Sequence, residues 1–583
     1  MVALAVSGIS TAFGQEGSAN NEAGILEEVI VTATKRAENI QDIPISITAL
    51  TPEQLDQIAG GVPDIRFLNG RVANLGIESS FGRVFPRFYL RGYGNTDFDL
   101  NSSQPVSLVV DEVVQENPIL KGFPIFDVER VEVLRGPQGT LFGRNTPAGI
   151  VKIDSRKPVG VPDGYFRASY GSYNAARVEG AFGTGFGNGW SARLSVLYMR
   201  QDDYVDNAYT GVKDAYEGFD EWAARLQVAY DNGRDFRALF NVHGRDLDGT
   251  AILFRANIIK PGTNELNREY YDRNTVFFDG GNEQDLSSLG GFAKLEWDIG
   301  NLTLTSVTGY ESVDLFSRGD IDGGYGSCVV IGVCGPGFIP FDAETADGMP
   351  DHEQWTQEIR LTSNNDGPFN WIAGFFYFDE DFTIETTNYD SLFTGQPNWL
   401  LGQEQQAKSY AFFGSGTWDL NEQWRLGAGI RYSNDEKDYL AQRFESPIFV
   451  QDFWPSPYGP IVENPDDSQV TWDATATYVM NDDINWYARV ATGYRAPSIQ
   501  GRLLFGNTVS VADSETSISY EGGVKMLLAD GRARVNFNVF SYTVDDAQLT
   551  AVGGQANFNQ VINAGEVDGS GFELDLQARL FEN

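Results

Sequence analysis

The sequence predicts a mainly β protein: a transmembrane antiparallel β-barrel preceded by a small α/β domain. Three observations predict it. From about residue 160 onward, segments of about ten residues alternate apolar and polar side chains, the period of a strand with two unlike faces. The connections alternate in length. Asp231-Asn-Gly-Arg234 and Gly300-Asn301 are short, whereas 249–286, 316–350 and 442–468 are long, as a barrel with two distinct ends requires. Finally, no apolar run reaches the roughly 18 residues that a spanning helix needs.

In chain order, Met1–Gln15 is apolar, with small residues at Ala12 and Gly14. It reads as the remnant of a signal peptide over residues 1–14, without the basic segment that opens one. Residues 15–38 read as a flexible N-terminus, and 39–158 as a compact α/β domain. Within that domain Ile43–Leu50 reads as a strand. Thr51–Ala59 reads as a short helix with Thr51 as N-cap, Pro52 at its first position and Gln54 closing a capping box. Gly60-Gly61 stops it. Val106–Val110 and Val128–Leu134 read as further strands.

Residues 159–583 carry the alternation. Trp424, Leu426, Ala428, Ile430 and Tyr432 oppose Arg425, Gly427, Gly429 and Arg431. Trp486, Ala488 and Val490 oppose Asn485, Tyr487 and Arg489; Phe572, Leu574 and Leu576 oppose Glu573, Asp575 and Gln577. A soluble sandwich would turn the apolar face inward, a membrane barrel outward. Charge, Gly and Asn on the second face of strand after strand, with aromatics near segment ends, favour the barrel. About sixteen such strands are present.

Composition removes other classes. The net charge of −39 disfavours nucleic acid, which requires basic stripes. With two histidines and neither a G-x-S-x-G nor an HExxH motif, no catalytic group and no metal site is expected. Cys328 and Cys334, in the Gly-rich run Tyr325–Pro336, form either a local disulfide or two free thiols; export favours the disulfide.

Several segments resemble the TonB-dependent outer-membrane receptors, particularly those for siderophores. Glu27-Glu-Val-Ile-Val-Thr-Ala33 resembles the TonB box, a segment that pairs as an added strand with TonB. Phe88-Tyr-Leu-Arg-Gly92, Val106–Glu112 and Ile125–Ile153 resemble the middle and end of the family's plug domain, in the same order. Trp355–Thr362, Asn563-Ala-Gly565 and Gly571–Leu576 resemble its barrel strands.

The resemblance implies a barrel of 22 strands with the plug inside its lumen. The chain is therefore expected to lack its C-terminal strands. It implies TonB contact through Glu28, Val29, Ile30, Val31, Thr32 and Ala33. The plug motif maps to Arg91, Gly92, Asp111, Glu129, Arg130, Glu132, Arg135, Gly136, Gly139 and Gly143. Substrate contacts are expected at Phe81, Arg83, Tyr93, Asn95, Asp97 and Phe98. The implied partners are TonB with its inner-membrane energising complex, outer-membrane lipid and lipopolysaccharide, and a small-molecule chelate or oligomeric substrate. No covalent cofactor is implied, iron entering only within a ferric-siderophore substrate. Glycans, aromatic compounds and cobalamin remain alternative substrates. A passive porin would share the barrel but lack residues 27–158, and an adhesin or enzyme would need repeats or a catalytic constellation.

Overall fold

The first described strands are short, and the segment that carries them packs on Leu134 and Ile150 of a larger sheet. The computed structural model describes residues 26–260, 262–268, 271–327, 338–339, 343–365, 367–389, 395–444, 457–504, 506–553 and 558–579. Strand β1 (Ile30–Val31) pairs antiparallel with β2 (Glu38–Asn39). Strand β3 (Ile47–Leu50) is shorter than the expected 43–50. Pro44 lacks a ladder donor, and Ile43 and Ile45 are buried instead in a cluster with Val31 and Leu134. Helix α1 (Pro52–Ile58) follows, with the capping box in place: Gln54 N–H donates to Thr51 Oγ1, and Thr51 N–H donates to Gln54 Oε1 at 2.9 Å.

Strands β4 (Leu75–Phe81), β5 (Val84–Leu90) and β6 (Tyr93–Gly94) form a three-stranded antiparallel meander. Strands β7 (Val106–Val110), β8 (Val113–Gln115), β9 (Val128–Arg135) and β10 (Gly149–Ser155) join β3 in a five-stranded sheet of order β3-β9-β10-β7-β8. Only β7 and β10 run parallel. Helix α2 (Gly139–Phe142) lies between β9 and β10. The core between sheet, meander and α1 holds Leu55, Ile65, Leu68, Ile77, Phe88, Leu108, Val131 and Val151.

Among the described residues, the rest of the chain is dominated by a seventeen-stranded antiparallel sheet running from Asp163–Tyr170 to Phe558–Ala578, with small two- and three-stranded sheets in its connections. One of these strands, Tyr458–Glu463, is a short extension on Trp424–Arg443, so the expected strand number is close to what is seen. The two end strands are not paired with one another among the described residues.

The faces are inverted relative to a soluble protein. Phe166 and Phe572 are 72% and 69% exposed, and Leu194, Trp222, Val242, Leu289, Ile430 and Trp486 are exposed with them. Their neighbours Arg193, Arg225, Arg431, Arg489 and Glu573 are buried, because the N-terminal domain fills the lumen they face. No described helix is long and apolar enough to cross a membrane; the apolar girdle belongs to strands.

Candidate functional site between the plug and the barrel wall

Apolar plug strands require polar contacts where they meet a polar lumen, and the plug motif supplies them. Arg91 Nη2 donates to Glu521 Oε2 at 2.5 Å and to Glu573 Oε2 at 2.8 Å, both on the barrel wall, and its guanidinium lies 3.9 Å over the Phe540 ring. Ser46 and Asn74 of the plug also bond Glu573, at 2.7 and 2.9 Å. Arg135 bonds the plug itself, at Ala73 O, Ser46 Oγ and Thr48 Oγ1, and stands 3.6 Å from Glu573. These groups clamp the plug to strands Glu515–Leu528 and Phe558–Ala578. Gly136 carries φ +76°, and a Cβ there would approach Arg91 Nη1 at 3.1 Å. At Gly143 (φ +88°) a Cβ would stand 2.6 Å from Arg431, and at Gly139 2.9 Å from Thr492 O. Glycine therefore lets α2 touch the wall. Gly92 is exposed beside Arg91.

The other motif carboxylates hold plug and N-terminal segment together. Asp111 accepts from Ser155 N–H at 2.9 Å and pairs with Lys157. Burial alone would raise its carboxyl, but Lys157, Arg225 and Ser155 hold it down at about 2. Arg130 spans Glu129, Glu132 and Asp154. Glu132 is fully buried and accepts from Thr32 N–H at 2.9 Å; burial pushes its carboxyl up.

That bond brings in the segment expected to act as the TonB box. Val31 and Ala33 are buried, Ile30 and Glu28 are exposed, and Val29 O accepts from Ile40 N–H at 2.9 Å. The segment expected to be flexible through residue 38 is packed from Leu26 onward. Leu26 N–H donates to Gly531 O, Lys35 pairs with Glu358 at 2.5 Å, and Arg36 donates to Trp371 O at 2.6 Å. All three wall contacts lie at or near the short-turn end of the barrel. Here a chamber of about 740 Å³ opens between plug and wall. Thr32, Lys35, Arg36 and Glu38 line it on one side, and Arg237, Lys294, Asp298 and Arg360 on the other.

The expected substrate contacts lie towards the opposite end and divide in two. Arg83, Asn95 and Asp97 are held in polar networks. Arg83 pairs with Glu221 at 2.9 Å over the Phe219 ring, and Asn95 accepts from Arg495 at 3.1 Å. Asp97 Oδ1 accepts from Asp99 N–H. Phe81, Tyr93 and Phe98 are half-buried, Tyr93 bonding Glu515 and stacking on Tyr542. The exposed polar group of the meander was missed: Glu78 pairs with Arg87 at 3.2 Å and accepts from Tyr89 OH at 2.6 Å. Glu78 and Arg87 face each other across β4 and β5, so reading the Gly82-Arg83 turn as a hairpin would have found them. Cys328 and Cys334 lie outside the described residues, and among the described residues no cluster of ligating side chains could hold a metal.

The comparisons agree with this geometry. Residues 39–150 match the TonB-dependent receptor plug domain, and 317–582 match the TonB-dependent receptor-like β-barrel; together these cover more than half of the chain. The pesticin receptor of Yersinia pestis is 25% identical over 590 residues, covering 94% of this chain and 75% of that one. The ferrioxamine B receptor of Salmonella typhimurium is 26% identical over 211 residues, 35% of this chain and 28% of the other. Among solved structures, the ferric yersiniabactin uptake receptor FyuA from Yersinia pestis superposes with a TM-score of 0.76 at 20% identity, over 92% of this chain and 77% of that one. The ferripyoverdine receptor of Pseudomonas aeruginosa does so at 0.69 and 15% identity, over 96% and 72%. The chain belongs to the TonB-dependent receptor family of outer-membrane β-barrels.

Proposed function

We propose that the chain imports a ferric siderophore across the bacterial outer membrane, energised through its N-terminal box by TonB. Iron is the cargo here, carried within the chelate. The observation that carries the reading is the position of the box. Its Thr32, with Lys35, Arg36 and Glu38 just beyond it, lines one side of the 740 Å³ chamber at the short-turn end, while the plug's other pole, around Asn95–Asn101, contacts the connection at Ile499 at the opposite end. A pull on residues 26–38 acts on Thr32, Lys35 and Arg36, and so on the groups that close the chamber between plug and wall. Strand addition suits this task, since its affinity comes from main-chain bonds and its load is spread along the backbone. Relatives whose names specify ferric yersiniabactin, ferripyoverdine and ferrioxamine support a ferric chelate as substrate.

The test is radioiron uptake from a panel of ferric siderophores, by cells expressing the protein with and without TonB. Uptake of at least one chelate that requires both proteins supports the reading. Uptake unchanged by loss of TonB, or TonB-dependent uptake of cobalamin or a glycan with no ferric chelate accepted, overturns it.

A further inference from the structure

A hairpin between strands Ile484–Arg495 and Glu515–Leu528 lies at the long-loop end, yet its first strand is buried. Ser498–Gln500 pairs with Ser510–Ala512. Ile499 and Gln500 are 2% and 1% exposed, and Leu503 and Leu504 pack with Leu401, Tyr439 and Ala441 of the inner wall. Such a connection would ordinarily project into water; this one is folded into the lumen. Arg502 makes a two-oxygen contact with Asp347, both at 2.9 Å. Asp347 belongs to Glu344–Ser363, and four long strands stand between that strand and the hairpin's root on the wall, so the ion pair crosses the lumen. Arg443 donates to Leu503 O at 2.8 Å, and Gln548 donates to Ala496 O and Asp513 O, both at 2.9 Å.

Beneath the hairpin lies the pole of the plug. Asn101 Nδ2 donates to Ile499 O at 3.0 Å. Asp97, Asp99 and Asn101 are buried there, each with one side-chain oxygen that makes no hydrogen bond to protein. The closed arrangement thus covers polar groups it does not satisfy, and it is tied to remote strands by the Arg502–Asp347 ion pair and by Arg443, which donates to Leu503 O, Gly506 O and Asn507 Oδ1.

We propose that the 498–512 hairpin is an inward-folded gate, latched by Arg502 on Asp347, which must swing outward before a solute reaches the plug at Asn95–Asn101. The gate rests on the import reading for its direction, since the long-loop end must face the medium. Its opening precedes substrate contact and needs no TonB. The packing at Gly501 shows how closely it is seated: a Cβ there would stand 1.8 Å from Tyr439 OH.

The experiment uses intact cells, a membrane-impermeant maleimide, and full-length protein with Cys328→Ser and Cys334→Ser. Ile499→Cys reports the hairpin's buried side, and Thr508→Cys, at an exposed position, reports its tip. Thr508→Cys should label quickly and Ile499→Cys slowly. Adding Arg502→Ala or Asp347→Ala should each speed labelling of Ile499→Cys by about tenfold or more, as expected when a latch that sets a local opening equilibrium is removed. Retained heat-modifiable mobility shows that each variant is folded. Two results overturn the gate: rapid labelling of Ile499→Cys with the latch intact, or slow labelling unchanged by both latch variants. Failure of Thr508→Cys to label in intact cells, with labelling after lysis, overturns the sidedness and with it the import reading.

Discussion

Glu358→Gln should release the proposed TonB box without altering its residues. Lys35 and Glu358 stand 2.5 Å apart with both side chains only 9% exposed. Glu358 also pairs with Arg360 at 2.8 Å, and Arg360 lies close enough to oppose the charge of Lys35. Burial already lowers the Lys35 pKa from its ordinary value, against the pull of Glu358. With glutamine opposite, Lys35 keeps the burial and Arg360 but loses its carboxylate. Removing one partner of a buried pair costs about 3–5 kcal/mol, and the residual solvent contact here argues for the lower end. The other anchors persist: Val31 burial stabilises docking by about 1.5–3 kcal/mol, and the Thr32 bond to the Glu132 carboxylate by a similar ~1.5–3 kcal/mol. The docked-to-released ratio should therefore fall by about 100-fold, at 1.4 kcal/mol per tenfold. If TonB captures the released box, apparent affinity for the periplasmic domain of TonB, with no substrate present, should rise by up to ~100-fold. Calorimetry or interferometry on purified receptor measures it. An affinity unchanged for a normally folded variant would refute the docked box as a barrier to TonB capture.

Four further outcomes are expected. Glu573→Ala should destabilise plug seating by about 3–5 kcal/mol, because it strips Arg91 and Arg135 of a shared buried carboxylate; protease sensitivity of the plug should rise while barrel heat-modifiability is kept. Asp99 sits under the hairpin, where burial and the charges of Asp97 and Asp347 push its carboxyl up to about 7 against Arg502. The folded form thus binds the proton more tightly than the unfolded one, so this contribution to stability falls as pH rises from about 4 to about 7; measured relative to the exposed Thr508→Cys, which corrects for thiol ionisation, Ile499→Cys should label faster at pH 8 than at pH 5.5, and Asp99→Asn should flatten the difference. Gly143→Ala should lower the thermal midpoint, since φ +88° and a Cβ 2.6 Å from Arg431 together cost about 1–3 kcal/mol. Cys328 and Cys334 should resist thiol labelling on intact cells without reductant, and labelling of either would count against their bond.

The barrel was legible because its strands are long and two-faced: the opposition of Phe572, Leu574 and Leu576 to Glu573 and Asp575 survives unchanged from sequence to structure. The helix at 51–59 was legible because Thr51, Pro52 and Gln54 each have a local reason to stand where they do. What failed to show was every contact between distant segments. Arg91 could be singled out, but Glu521 and Glu573, more than 400 residues away, look like any lumen-facing acid. The box was expected to be loose, because nothing local to Glu27–Ala33 shows that Val31 meets Leu134 and Ile150. The inward-folded hairpin was hidden for a similar reason. The contacts that draw Ser498–Ala512 inward come from Asp347, Arg443, Leu401 and Tyr439 on remote strands and from Asn101 of the plug.

Transport with and without a functional box decides the coupling most directly. Val31 pairs with Glu38 and lies at the centre of the box. Val31→Pro removes a ladder donor and fixes φ, blocking strand addition to TonB, at a site remote from the long loops. In energised cells, binding of the cognate ferric siderophore should be retained, while radioiron uptake falls to the level of cells lacking TonB. Uptake at the wild-type rate by Val31→Pro would contradict energy coupling through this segment.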